Sequence, residues 1–179
     1  MGLDVRINRG GGRGSGCNIT IGALPTGLRF GEAPLTGLLS LSNGAGGGQA
    51  DTLYRRDFSL TALGGGTDTI TVDLRGGSGE LDVTGAVLSL QRVRWVYVEL
   101  TTPADAKAIR FGPRNVANAW QGWWGGVGAS DYTIVPFILD QADPYDNWPV
   151  VDATHKVLSI HNPSAIAVVG TLLVGGIHT

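Results

Sequence analysis

Val93-Arg94-Trp95-Val96-Tyr97-Val98-Glu99-Leu100 is the stretch on which the fold turns. It is rich in β-branched and aromatic side chains, which pack well on a pleated sheet. Upstream, Asp68-Thr69-Ile70-Thr71-Val72-Asp73-Leu74 alternates polar and apolar residues, as a half-buried strand does. Asp57 to Thr61 reads as a strand closed by the turn Gly64-Gly65-Gly66, and further apolar spacing runs from Leu81 to Leu90. One helical turn fits Leu88 to Val93. Ala106 to Phe111 is expected to pair with the opening stretch across Thr102-Pro103-Ala104-Asp105. Downstream lies Tyr132 to Leu139, where Pro136 lacks a backbone donor and marks an edge or bulge. Lys156 to Ile160 and Ala165 to Val174 follow, separated by the Asn162-Pro163 turn. No segment keeps a helical period. Many short strands at this spacing predict an all-β chain, an antiparallel β-sandwich of jelly-roll type over residues 51–179.

Residues 1–50 are built differently. Gly10-Gly11-Gly12, Gly14, Gly16, Gly22, Gly27, Gly31, Gly37, Gly44 and Gly46-Gly47-Gly48 separate short apolar pieces. Those pieces are Leu3-Asp4-Val5-Arg6-Ile7, Ile19-Thr20-Ile21, and Leu35 to Leu41. None is long enough to build a core. The region reads as an extended Gly-rich N-terminal arm lying on its own domain or on a neighbouring subunit, with Leu3, Val5, Ile7, Ile19 and Ile21 as its contact residues.

Composition narrows the function. The 179 residues suffice for one domain with a core. Charged residues are 16%, below the usual quarter, so little charge opposes assembly. The net charge is −2 with no basic run, which argues against a nucleic-acid partner. Cys17 is the single cysteine, so no intrachain disulfide framework or thiolate zinc site is expected. No secretory signal is expected, because charges break each apolar run near Met1. Arg6 stands where a myristoylation signal needs Ser or Thr. Ala165 to Ile177 is 13 residues of apolar character, short of the roughly 20 that span a bilayer, so no membrane partner is expected.

Four pieces of the chain, in order, resemble a family of small β-sandwich structural proteins of tailed bacteriophages and prophages. They are Leu41-Ser42-Asn43-Gly44-Ala45-Gly46-Gly47-Gly48-Gln49-Ala50-Asp51-Thr52-Leu53-Tyr54, then Leu88 to Val98, then Asp146-Asn147-Trp148-Pro149-Val150 with Lys156 to Asn162, and finally Ala167 to Gly170 with Leu172, Leu173 and Val174. The likeness spans residues 41–176. It implies a non-enzymatic virion component of the capsid decoration or cement type, assembled in the host cytoplasm. Its implied partners are further copies of itself, as a homotrimer, and the major capsid protein or another virion protein. It supplies no catalytic residue.

Three groups stand as candidate sites. Trp120, Trp123 and Trp124 share the loop Asn118 to Gly126, where aromatics serve a subunit contact, sugar stacking or core packing. Asp140, Asp143 and Asp146 share an acidic loop that offers oxygens to Ca²⁺ but lacks the EF-hand spacing, so a solvated turn is the simpler reading. His155, His161 and His178 have no metal-binding spacing and read as surface or strand-end histidines. No P-loop, nucleophile elbow or assembled triad is legible, and no cofactor is expected. A capsid decoration protein leads the expectations. A tail or head-fibre component, an extracellular filament subunit and a carbohydrate-binding module follow, and an enzyme comes last.

Overall fold

The structure is a computed structural model that describes residues 5–9, 17–21, 29–30, 33–34, 45–46, 49–101, 109–112, 116–122, 133–135, 138–143 and 146–179. Among these residues there are twelve strands and no α-helix, and every strand pairing is antiparallel. Sheet I has the order β10 (Ile138–Ala142), β7 (Leu90–Leu100), β12 (Val168–His178), β5 (Thr52–Leu60). Sheet II has the order β6 (Thr69–Asp73), β11 (Val157–His161), β8 (Ile109–Phe111), β9 (Thr133–Val135). Residues 1–50 contribute two separate ribbons, β1 (Val5–Arg9) with β2 (Cys17–Ile21), and β3 (Arg29–Phe30) with β4 (Ala33–Pro34).

The pairing follows one rule. β5 pairs with β12, β6 with β11, β7 with β10 and β8 with β9. The chain from residue 52 is therefore one long double ribbon folded back between β8 and β9. Further pairing of β12 with β7 and of β11 with β8 closes the ribbon into two sheets. Alternating strand direction sorts the connections into two ends. The β6–β7, β8–β9 and β10–β11 connections share the lower end with the start of β5 and the finish of β12.

Both sheets feed one core. Phe58 and Leu60 of β5, Val96, Val98 and Leu100 of β7, and Leu172 and Val174 of β12 come from sheet I. Ile70 and Val72 of β6, Ile109 and Phe111 of β8, and Leu158 and Ile160 of β11 come from sheet II. Each such side chain contributes roughly 1.5–3 kcal/mol by leaving water.

Several expected elements differ. Of the stretch Ala106 to Phe111, the described part, β8, does not pair with β7, and residues 106–108 lie outside the described residues. Both edges of β7 are taken by β10 and β12, and β8 lies in the other sheet. The helical turn at Leu88–Val93 is absent, because β7 already begins at Leu90. Within Tyr132 to Leu139 the described residues belong to β9 and to the start of β10, which serve as edges of different sheets. Pro136, where an edge or bulge is expected, lies outside the described residues.

Candidate functional site

The lower end is organised by an irregularity in β7. In the β12 ladder Gly175 faces Trp95 and Gly176 faces Val93, so Arg94 is an extra residue. A second shift before Leu90 leaves Gln91 extra as well. A bulge re-aims its side chain. Arg94 has the sequence parity of Val96, Val98 and Leu100, which would drive a guanidinium into the core. The bulge gives that place to Val93 instead, which joins the core cluster. Gly176 permits the arrangement, because a Cβ there would lie 2.2 Å from the Arg92 carbonyl oxygen.

Arg94 is 1% exposed. Its Nη2 donates to the Gly46 carbonyl at 3.3 Å, and its Nη1 donates to the Asp143 carbonyl at 3.3 Å and pairs with Asp146 Oδ1. Its Nε has no partner among the described residues. One guanidinium thus joins the chain that enters β5 to the connection between β10 and β11. Arg92 adds a second tie, through Nε to Asp146 Oδ1 at 3.4 Å and Nη1 to the Trp148 carbonyl at 3.3 Å. The backbone of both bulge residues serves the same loop. Asp143 N–H donates to Arg94 O at 2.8 Å, and Val151 N–H donates to Gln91 O at 2.9 Å.

Of the acidic-loop candidates, Asp143 is buried, which corrects the solvated-turn reading. Its carboxylate accepts from the Trp148 N–H and from Asn147 Nδ2 at 3.2 Å, folding the loop on itself. Asp146 sits at φ 64°, a left-handed conformation that Asp tolerates better than most residues, and turns its carboxylate onto the two arginines. Asp140 falls within β10, and its side chain lies outside the described residues. Among the described residues no group of three or more His, Cys, Asp or Glu gathers to hold a metal.

Trp120 is fully buried in the core cluster. Its Nε1 donates to the Pro149 carbonyl at 3.0 Å, and its ring meets Trp148 edge-on at 5.8 Å. No ring surface remains there for a sugar or a partner, so Trp120 is a packing residue that seats the β8–β9 connection under the 143–151 loop. Trp123 and Trp124 lie outside the described residues. Residues 118–120 also extend sheet II. Trp120 N–H donates to Val157 O at 2.9 Å, and the Asn118 carbonyl accepts from the N–H groups of Lys156 and Val157. Asn118 takes φ 57°, which Asn adopts readily.

At the far end of the 143–156 connection, the Asp152 carboxylate accepts from the Thr154 N–H at 2.7 Å and the His155 N–H at 2.8 Å. The Thr154 backbone bond, then the His155 side chain, hold its carboxyl well below the usual carboxylate range. His155 is exposed there. His161 is the last residue of β11, a strand-end histidine that is buried, and its Nδ1 lies 3.2 Å from Thr69 Oγ1. Of the arm residues, Val5 pairs opposite Ile21 and Ile7 opposite Ile19, so the register puts all four on one face of the β1–β2 ribbon. Leu3 lies outside the described residues.

Arg94 is not among the candidates read from the sequence, although its position carries one signal. Within Val93 to Leu100 it is the one charge at the parity of Val96, Val98 and Leu100. Comparison with protein-family models, curated proteins and solved structures finds no match.

Proposed function

We propose that the chain is a virion structural protein with a jelly-roll β-sandwich, and that it decorates or cements a capsid as a homotrimer on the major capsid protein. The observation that carries the reading is the ribbon pairing of β5–β12, β6–β11, β7–β10 and β8–β9, with a Gly-rich segment fastened to its lower end. A double ribbon rolled into two facing sheets is the jelly-roll arrangement, which viral capsid and lectin domains use. Arg94 holds the root of the arm at Gly46. An arm fastened in this way leaves the domain in a fixed place, as a reach along a shell requires.

The test is the copy number of this chain per major capsid protein in purified particles, by quantitative peptide mass spectrometry. The expected ratio is one or a simple fraction. A few copies per particle would move the protein to the tail or a head fibre. Recovery only in capsid-free polymers would replace the reading with a filament subunit.

A further inference from the structure

The side of sheet I that faces away from the core is apolar at its lower end and polar at its upper end. Three rows cross it by register: Leu53–Gly175–Trp95, then Arg55–Leu173–Tyr97, then Asp57–Thr171–Glu99. Trp95 and Tyr97 stack at 5.9 Å, Tyr97 Oη donates to Glu99 Oε2 at 3.2 Å, and Thr171 Oγ1 donates to Asp57 Oδ1 at 2.7 Å. All belong to one surface. Leu53, Trp95, Tyr97 and Leu173 lie outside the core cluster, yet each is 1–3% exposed. In the third row Asp57 is exposed and Thr171 and Glu99 are half-buried, and beyond it Val169 is 43% exposed.

Flanking strands alone do not bury the face of a sheet, since side chains stand nearly perpendicular to it. A covering layer is required, and the burial gradient places it at the lower end. The chain from the arm arrives there: Gly46 is bonded to Arg94, Asp51 N–H donates to Gly176 O at 3.0 Å, and Ala50 is buried. The β1–β2 ribbon has the matching need. A two-stranded ribbon is not stable alone, and this one gathers Val5, Ile7, Ile19 and Ile21 on one face.

We infer that the lower outer face of sheet I, formed by Leu53, Trp95, Tyr97 and Leu173, is the seat of the N-terminal arm of the same chain, docked through the ribbon face that carries Val5, Ile7, Ile19 and Ile21. The arm is then a third layer on the domain, and any role in assembly requires it to leave a site it already occupies. The inference concerns contacts within one chain and stands or falls independently of a virion role.

Cys17, the single cysteine, has the parity of Ile19 and Ile21 and so shares the docking face of the ribbon. R55C and T171C add a thiol at the rim of the proposed seat, and T71C adds one at an exposed position of sheet II. Each full-length variant is treated with a short bismaleimide at low protein concentration and mapped by peptide mass spectrometry, using a mixture of isotopically light and heavy chains. The expected result is an intrachain link to Cys17 in R55C or T171C, forming at least tenfold faster than in T71C. Equal rates, no link in either rim variant, or links joining light to heavy chains would each overturn the inference, the last by giving the seat to another copy's arm.

Discussion

On β6, an edge strand of sheet II, the outward residues are Thr69, Thr71 and Asp73. On β7 and β12, the central strands of sheet I, they are Trp95, Tyr97 and Leu173. Both sheets press leucine, isoleucine and valine onto the same core from their inner sides. They differ in what the second side is made for. A sheet with one wet face reads as alternation, and a sheet covered on both faces reads as a continuous apolar run. Asp68 to Leu74 is the first kind and Val93 to Leu100 is the second. Sheet II is not simply wet, since Ser159 and His161 of β11 are buried on its outer side, but the groups it buries there are polar.

The largest expected effects test this difference with neighbouring residues. Leu172 and Leu173 point to opposite sides of β12 and are both buried. Truncation of either to Ala removes packed volume, so L172A and L173A should each cost roughly 2–5 kcal/mol. On β6 the equivalent neighbours should separate. V72A should be similarly costly for its smaller side chain, and T71A, at an exposed position, should stay within about 0.5 kcal/mol. Urea unfolding of the four variants gives the comparison. A cost for L173A as small as that of T71A would show the outer face of sheet I to be open.

Much of this contrast was legible in the sequence. The period-2 pattern located β6, and the continuous run located β7, because both signals are local. Partners across the fold were not legible. The sequence suggested a local hairpin between β7 and Ala106 to Phe111. In the fold, the eleven-residue β12 satisfies far more of the backbone of β7 than three-residue β8 would. The candidate site was half legible. Trp120 and the acidic loop were singled out, but their burial depends on Pro149, Trp148 and Arg94, which approach from distant parts of the chain. Arg94 itself was hidden by the bulge, which Gly176 permits from another strand.

The next expected effect concerns how each region handles charge. Arg94 is buried and holds three acceptors, whereas its partner Asp146 is 43% exposed. Replacing Arg94 by Leu removes the tie to Gly46 and leaves the carbonyl of buried Asp143 without its guanidinium donor, so R94L should cost about 3 kcal/mol. D146N leaves Arg94 its two carbonyl partners and removes a charge that water can replace, so it should cost about 1 kcal/mol. Chemical denaturation of both distinguishes them. Equal costs would mean that the ion pair, and not the carbonyl bridging, holds the lower end together.

A further small effect lies on the polar face. Lys156 Nζ pairs with Asp73 Oδ2 at 2.8 Å. Burial raises the Asp73 carboxyl, but bonds from Lys156 and from the Arg75 and Gly77 N–H groups outweigh it and hold the carboxyl below its ordinary value. The folded state therefore releases this proton more readily than the unfolded chain. The resulting stability is complete above the unfolded pKa of about 4 and is lost as pH falls through the lower folded value. K156M removes the ion pair and should cost about 1 kcal/mol at neutral pH. The difference from the parent should shrink as pH falls below about 4 and through the lower folded value, where Asp73 protonates in the parent as well. Thermal unfolding from pH 7 down to pH 2 reads this directly. A K156M difference that stays constant down to pH 2 would mean that Lys156 acts through the packing of its aliphatic stem, and that the polar face of sheet II is held, like the outer face of sheet I, by burial.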